Sequence, residues 1–260
     1  MFKQIKKELV NALTTKNLIL FAFIIFIVPL IQFLTVYNTY EFFKPIEVFE
    51  ESISTIPAMI FPILAVLVYV PSFISEYKNN FLTYTRTRVN LNDYLVSKGI
   101  VNAILSGIVL FLMVFVTYLF VQFIEPWLGL VNYTPISEST GDVKNVFSSL
   151  IENSPFLYAT IYAIWIGLNA ALYATLAYIL VLSLNSIFVA ISIPFMGYHL
   201  LNFVSGIFQF PQFSPLSTLF PFNITAQPIW TVFVPFTVIL LINLIIYKVY
   251  ISKKEEWTFN

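Results

Sequence analysis

The 260-residue sequence has no cysteine, only seven glycines and very little charge. Charged residues make up 10% of the chain, against about a quarter in soluble domains, and hydrophobic residues make up 59%. The missing cysteines exclude disulfides, thiolate metal sites and cysteine nucleophiles. The shortage of charge excludes a soluble globular protein, and the formal net charge of zero points to no nucleic-acid partner. We therefore expect an integral membrane protein.

Catalytic motifs are also missing. None of the glycines belongs to a GxxxxGK[ST] loop, so the chain cannot cradle nucleotide phosphates by itself. His199 is the single histidine, has no HExxH or GxSxG context, and cannot build a usual zinc site alone. The pair Glu50 and Glu51 resembles that of intramembrane proteases but lies outside the predicted spans and lacks the following arginine. We expect no enzymatic activity, no metal and no directly bound cofactor.

Six apolar runs predict an all-α fold of six transmembrane helices, because about 20 apolar residues cross the hydrocarbon core. The predicted spans are residues 18–36, 56–74, 99–124, 155–182, 187–208 and 229–247. Together they form a single transmembrane domain covering residues 1–260. The basic lead and first apolar run resemble a signal peptide, but the run is too long and no small-residue cleavage site follows. We interpret it as a retained span.

Three segments outside the spans have distinctive patterns. Residues 1–17 place apolar side chains at helical spacing among lysines, which predicts an interfacial amphipathic helix on an anionic membrane surface; a solvated helical tail is the alternative. Residues 75–98 form a hydrophilic interval. Residues 209–228 contain four prolines and no charge, which predicts short re-entrant or interfacial helices on the outer side.

The distribution of basic residues predicts the topology. With a cytoplasmic N-terminus, the inner segments hold eleven lysines and arginines, and the outer loops hold only Lys44 and Lys144. Both termini and residues 75–98 are therefore expected in the cytoplasm. The two acidic loops, residues 38–55 and 125–154, are expected outside together with residues 209–228.

The spans carry no deep acidic or basic residue. Between Pro155 and Tyr247 there is not one Asp, Glu, Lys or Arg, which argues against an ion-driven carrier and a charged ion pore. His199 and Asn202 share a face of the fifth span, where hydrogen bonding between helices is favoured over a proton relay. Active transport would thus need energy from another polypeptide.

The interval 75–98 is the natural contact for such a polypeptide. Phe81, Tyr84, Arg88 and Leu91 recur at helical spacing, and Asn90 or Asn92 can cap a helix that continues into the third span. Interleaved aromatic and basic side chains indicate a docking surface. The alternative is a basic loop that only satisfies the positive-inside rule.

In these features the chain resembles the membrane subunits of ABC-2 type exporters. The resemblance covers the whole length: an N-terminal amphipathic helix, six spans, a Glu after span two, an aromatic and basic run from Phe81 to Arg88, and a Lys before span three. The chain departs from many relatives at Asn79, Asn80 and Val89, where those have glycine or proline.

The resemblance implies a permease dimer, homomeric or heteromeric, bound to two ATPase subunits that hold ATP and Mg²⁺. It implies a substrate route formed largely by spans one, two and five, and a coupling helix between spans two and three. The candidate coupling residues are Glu76, Phe81, Tyr84, Arg86, Arg88 and Lys98. The candidate substrate-path residues are Gln32, Tyr198, His199, Asn202, Phe213 and Phe220.

The expected function is therefore ATP-driven export of a hydrophobic or amphipathic substrate, such as a peptide, antibiotic or lipid-like molecule, across a bacterial plasma membrane. Membrane lipid is the other expected partner. The alternative is a non-enzymatic membrane protein, of a binding or immunity type, that senses or sequesters a ligand without ATP.

Overall fold

A computed structural model describes residues 2–78, 90–134, 147–223 and 227–256. The described residues form helices and connecting turns, without a β-strand. Six helices are long and apolar enough to cross a membrane, and we call them spans 1 to 6: Thr15–Val36, Ile56–Glu76, Asn92–Leu128, Pro155–Ser183, Ile187–Ile207 and Ile229–Val249. The chain is thus a helical, multi-pass membrane protein, as its composition predicts. Its orientation in the membrane stays a prediction.

The N-terminal helix, Phe2–Ala12, ends earlier than the predicted residue 17. Thr14 starts a new helix, because its hydroxyl accepts a hydrogen bond from the backbone N–H of Asn17 at 3.3 Å. Span 1 therefore begins at Thr15. A π-helical turn, Phe23–Ile27, precedes Pro29 and gives the proline ring room in the helix.

Span 2 consists of two helices, Ile56–Leu67 and Val70–Lys78. The interruption at residues 68–69 lies just before Pro71, which has no N–H to donate to the carbonyl of Leu67. Pro62 is accommodated inside the first helix. The sequence predicted kinks at these prolines. In the structure the helix is interrupted before Pro71.

Helices extend from both spans into the interval between spans 2 and 3. The second helix of span 2 continues to Lys78, beyond the predicted residue 74, and the long helix Leu91–Leu119 begins beside Asn90, as the predicted capped helix into span 3 requires. Asn90 caps this helix, since its side-chain oxygen accepts from the N–H of Asn92 at 3.0 Å, which confirms one of the two predicted caps. A π-helical turn, Phe120–Ile124, and a short helix, Glu125–Leu128, complete span 3.

At the opposite end of the bundle, the first acidic loop contains a helix that the sequence did not predict, Pro45–Ser54, here called the loop helix. Glu47 caps it by accepting from the N–H groups of Phe43 and Lys44, at 2.8 and 3.3 Å. The second acidic loop contains the short helix Ser148–Asn153. The proline-rich segment, residues 209–228, contains three short helices: Pro211–Phe213, Pro215–Leu219 and Pro221–Asn223. Their depth in the membrane stays a prediction.

Span 4 is the centre of the bundle, with 16 of its 29 residues buried. One face is lined by alanines without any exposed surface, which lets neighbouring helices approach closely: Ala159, Ala163, Ala170, Ala174 and Ala177. Span 3 approaches so closely that a Cβ atom on Gly167 would lie 2.8 Å from the carbonyl oxygen of Gly107. By contrast, only three of the 21 residues of span 5 are buried, so this helix presents an apolar face outward.

Candidate functional site

A buried ion cluster joins the N-terminal helix to the ends of spans 2 and 3. The Nζ of Lys98 lies 2.6 Å from Oε2 of Glu8 and 2.7 Å from Oε2 of Glu76. Lys98 is 2% exposed, and its two carboxylate partners come from different helices. Burying a charge is costly unless it is paired, so these contacts hold three elements together at one point.

Aromatic side chains enclose this cluster. The hydroxyl of Tyr94 donates to Oε2 of Glu76 at 2.8 Å, and the Lys98 ammonium lies 5.4 Å from the centre of the same ring. Tyr69, beside the break in span 2, offers a second ring at 5.9 Å. From span 4, the hydroxyl of Tyr178 donates to the carbonyl of Leu95 at 2.8 Å. The start of span 3 is therefore fixed by contacts with the N-terminal helix, span 2 and span 4.

Glu8 is the member of this cluster that the sequence analysis missed. It lies one turn from Ile5 and one turn from Ala12, on the side of the helix that faces the bundle. A charged residue among apolar positions of an amphipathic helix signals a buried counter-charge. That signal was present in the sequence, but it names no partner.

A second polar contact fixes the C-terminal end of the N-terminal helix. The side-chain amide of Asn17 donates to the carbonyl of Ala12 at 2.7 Å and lies 3.3 Å from Oγ of Ser72 in span 2. The C-terminal half of the helix is thus held by two buried polar side chains, Glu8 and Asn17. Its position depends on spans 1, 2 and 3 together.

Of the six candidate coupling residues, the structure describes Glu76 and Lys98 and brings them into direct contact. The other four lie outside the described residues: Phe81, Tyr84, Arg86 and Arg88. Glu76 precedes these four residues and Lys98 follows them, so the ion cluster joins the two ends of the interval.

An apolar cleft of about 550 Å³ opens between spans 2 and 5. Its walls are Met59, Ile60, Phe195, Met196, His199, Leu200 and Phe203. His199 is the one polar side chain in this lining, and its Nε2 lies 3.0 Å from the carbonyl oxygen of Met59. The cleft suits an apolar group or chain, with a single imidazole to contact a polar atom.

Among the candidate substrate-path residues, His199 alone lines this cleft. Tyr198 is buried on another face of span 5, with its ring 6.0 Å from that of Tyr173. Asn202 accepts from the backbone N–H of Leu216 at 2.9 Å and so holds the proline-rich segment. A direct role of Tyr198 and Asn202 with a substrate stays a prediction.

The other candidates of that set have structural neighbours as well. Gln32 accepts from the N–H of Ile56 at 3.1 Å and donates to the carbonyl of Glu51 at 3.2 Å. Its side chain thus provides hydrogen-bond partners for two backbone groups where the loop helix meets span 2. Phe220 is buried, and Phe213 packs 5.7 Å from the ring of Trp230. The structure does not bring these three side chains to the cleft.

A hydrogen-bonded series of aromatic residues on span 4 organises the opposite end of the bundle. The hydroxyl of Tyr158 donates to Oε1 of Glu50 in the loop helix at 2.7 Å. One turn further, the hydroxyl of Tyr162 donates to the carbonyl of Leu219 at 2.9 Å, and Trp165 donates to Thr218 at 2.7 Å. Span 4 thereby connects the loop helix to the proline-rich segment.

Burial raises the pKa of the Glu50 carboxyl to about 7, with smaller contributions from neighbouring carboxylates.

Glu125 is a second carboxylate that the sequence analysis placed only in an acidic loop. It is fully buried, accepting from the N–H of Val131 at 2.8 Å and from the hydroxyl of Tyr133 at 2.6 Å. These bonds fold the turn after Gly129 back onto span 3. Within the described part of the chain, no group of three or more His, Asp or Glu side chains is arranged to hold a metal ion.

The chain matches no protein-family model, no curated protein and no solved structure. Its function is therefore argued from its own residues.

Proposed function

We propose that the chain is the membrane subunit of an ATP-driven exporter of the ABC-2 type. It moves a hydrophobic or amphipathic substrate, of the peptide, antibiotic or lipid-like class, through a dimer of permease chains in a plasma membrane. Separate ATPase subunits bind ATP and Mg²⁺ and press on the interval between spans 2 and 3, which faces the cytoplasm. The chain itself performs no catalysis.

The observation that carries the proposal is the ion cluster of Glu8, Lys98 and Glu76. The Lys98–Glu76 contact of 2.7 Å joins the end of span 2 to the start of span 3, on the two sides of the interval 79–89. The Lys98–Glu8 contact of 2.6 Å joins the N-terminal helix to the same point of span 3. A force on that interval would therefore move the two spans and the N-terminal helix together. A rigid base of this kind is what mechanical coupling to a motor subunit requires.

The substrate class is supported by the cleft between spans 2 and 5. Its lining is apolar apart from His199, and it lies on the span with the least buried surface. The break in span 2 lies between this cleft and the ion cluster, so motion of Glu76 has a path to Met59 along one helix pair. Sugars and free ions fit such walls poorly, because their polar groups would lose hydration without compensation.

The test begins with affinity purification of the tagged chain from its native membrane. We expect an ATP-binding subunit to co-purify, and ATP hydrolysis to depend on both proteins. Replacing Tyr84, Arg86 and Arg88 together by Ala should lower ATP-driven transport by at least ~10-fold, since this removes the predicted docking surface at the point of force transfer. Thermal unfolding of the purified chain should change little.

The matched control replaces Lys248, Lys253 and Lys254 by Ala, which removes the same number of side chains from the C-terminal stretch. This control should keep both the partner and transport. If no ATP-binding subunit co-purifies, or if the triple variant transports at the unaltered rate, the exporter proposal fails. An ATP-independent binding or immunity protein would then be the better description.

A further inference from the structure

The N-terminal helix has one face toward the bundle and a differently built face away from it. Glu8 and Ala12 are buried, and Ile5 and Leu9 pack against the core. Among the residues directed away from the bundle are three lysines: Lys3, Lys6 and Lys7. Lys16 adds a fourth exposed cation just after the helix. The only acidic residue of the helix is Glu8, which is paired with Lys98, so the exposed charge is entirely positive.

Large apolar side chains lie among these lysines on the exposed surface. Phe2 is 85% exposed, Val10 is 66% exposed and Leu13 is 50% exposed. A soluble anionic partner would match the lysines and leave these apolar groups in water. The boundary between phosphate headgroups and acyl chains accepts both kinds of side chain at once. Span 1 begins at Thr15, two residues after Leu13, so the helix lies directly beside a membrane-crossing segment.

The same helix is joined to spans 2 and 3 through its buried face. Glu8 contacts Lys98 at 2.6 Å, and Lys98 contacts Glu76 at 2.7 Å. At the start of span 1, Asn17 joins the carbonyl of Ala12, at 2.7 Å, to Ser72 of span 2, at 3.3 Å. A shift of the helix against the membrane surface would move the Glu8 carboxylate relative to Lys98. Because a buried ion cannot lose its partner without a large cost, the ends of spans 2 and 3 must follow.

We propose that the N-terminal helix binds anionic lipid headgroups through Lys3, Lys6 and Lys7, and that the Glu8–Lys98 ion pair passes its position to the ends of spans 2 and 3. The N-terminal helix is thus a lipid-binding element that is mechanically connected to the bundle. The ligand class is the phosphate headgroup of an anionic phospholipid. This inference goes beyond the proposed function, since it needs no ATPase subunit.

The first measurement is lipid selectivity of the full chain in phosphatidylcholine vesicles. Spin-labelled phosphatidylglycerol and spin-labelled phosphatidylcholine report how strongly each lipid associates with the protein. We expect the unaltered chain to prefer phosphatidylglycerol. Since each lysine near an anionic surface is worth a factor of about five in association, removing three with K3Q/K6Q/K7Q should lower that preference by on the order of 100-fold. Lys248→Gln, an exposed lysine of the last helix, should keep most of it.

Four results would overturn the lipid assignment. The first two are the absence of any preference in the unaltered chain and the full preference in the triple variant. Competition by soluble glycerol phosphate would instead indicate a site for free phosphate. Loss of a co-purifying soluble protein from the triple variant, with lipid preference intact, would assign the surface to that protein.

The second measurement tests the connection through Glu8. The chain has no cysteine, so Asp93→Cys puts a single spin label at an exposed position in the first turn of span 3. We expect its spectrum to change when phosphatidylglycerol is added to the vesicles. Glu8→Gln should abolish this change, because the neutral side chain no longer holds Lys98, while Glu8→Asp, which keeps the carboxylate, should restore it.

The control label is Phe188→Cys, at the exposed start of span 5. Any change in the spectrum of this label on adding lipid should be the same with Glu8 and with Glu8→Gln. An unaltered lipid response at residue 93 in Glu8→Gln would overturn the connection. If Glu8→Gln fails to fold, Glu8→Asp and the lysine triple variant decide together. A lipid response at residue 93 that Glu8→Asp keeps and the triple variant loses supports the connection, and a response that the triple variant keeps overturns it.

Discussion

Buried carboxylates in this protein have partners from other parts of the chain. Glu8 pairs with Lys98 of span 3, Glu50 accepts from Tyr158 of span 4, and Glu125 accepts from Tyr133 of the following turn. In each case one side chain closes a contact between two elements. Removal of one partner leaves the other buried and unsatisfied, which costs more than the contact itself contributes.

The Glu50 carboxyl predicts how stability depends on pH. Its pKa is raised from 4.5 to about 7 in the folded protein, because burial disfavours the charged form and the nearby Glu47 and Glu51 add to this effect. The hydrogen bond from Tyr158 opposes it only in part. Between these two pH values the folded state binds more proton than the unfolded state, so stability falls as pH rises from 4.5 to 7. The loss is at most about 3 kcal/mol.

Thermal unfolding at the two ends of this pH range measures the effect. Glu50→Gln should reduce the fall in stability, because glutamine keeps an acceptor for Tyr158 and does not titrate. Glu152→Gln, at an exposed position, should behave like the unaltered chain. An equally steep fall in Glu50→Gln would show that another group is responsible.

At the scale of elements, the packing of spans 3 and 4 depends on glycine and alanine. Gly107 and Gly167 let the two backbones approach so closely that a Cβ atom on Gly167 would lie 2.8 Å from the Gly107 carbonyl oxygen. The alanine-lined face of span 4 continues this contact over the length of the helix. In a membrane such close packing is a main source of helix association, since lipid tails are as apolar as the side chains.

Gly167→Ala is therefore expected to destabilise the bundle by about 1 to 3 kcal/mol, because two helix backbones would have to move apart. Gly197→Ala is the matched control, since a Cβ atom there meets nothing within 4 Å. Chemical or thermal unfolding in detergent distinguishes the two variants. Equal stability of both would contradict the packing assigned to spans 3 and 4.

At the scale of the whole molecule, burial is uneven around the bundle. In span 4, 16 of the 29 residues are buried, and in span 5 three of the 21 are buried, although both are long apolar helices. The outward face of span 5 includes Met196, Leu200 and Phe203, which also line the cleft. Under the proposed function, this face meets the second permease chain.

A single cysteine at residue 200 tests that arrangement without background reaction. Leu200 is 62% exposed on span 5, and Leu168 is 50% exposed on span 4. We expect Leu200→Cys to form disulfide-linked dimers in native membranes on mild oxidation, and Leu168→Cys to stay monomeric. Equal cross-linking at both positions would indicate random collision, and cross-linking at residue 168 alone would place the dimer contact on another face.

The sequence predicted the number and approximate limits of the spans because hydropathy is a local property. The predicted fourth span, 155–182, differs from Pro155–Ser183 by one residue. The loop helix Pro45–Ser54 was missed, since its acidic residues indicated a loop and its cap depends on Glu47 folding back. The resemblance to exporter membrane subunits made Glu76 and Lys98 candidate coupling residues, a role that stays a prediction, and their mutual contact was not predicted.

Sequence alone determined that this is a helical membrane protein with six candidate spans, because about 20 consecutive apolar residues suffice to cross a bilayer whatever they later pack against. Tertiary structure decided the partners. Pairing of Glu8 with Lys98 links residues ninety positions apart, and the burial of span 4 depends on all its neighbours at once. Contacts of that range leave no local pattern in the chain, so the ion cluster could be identified only when the helices were in place.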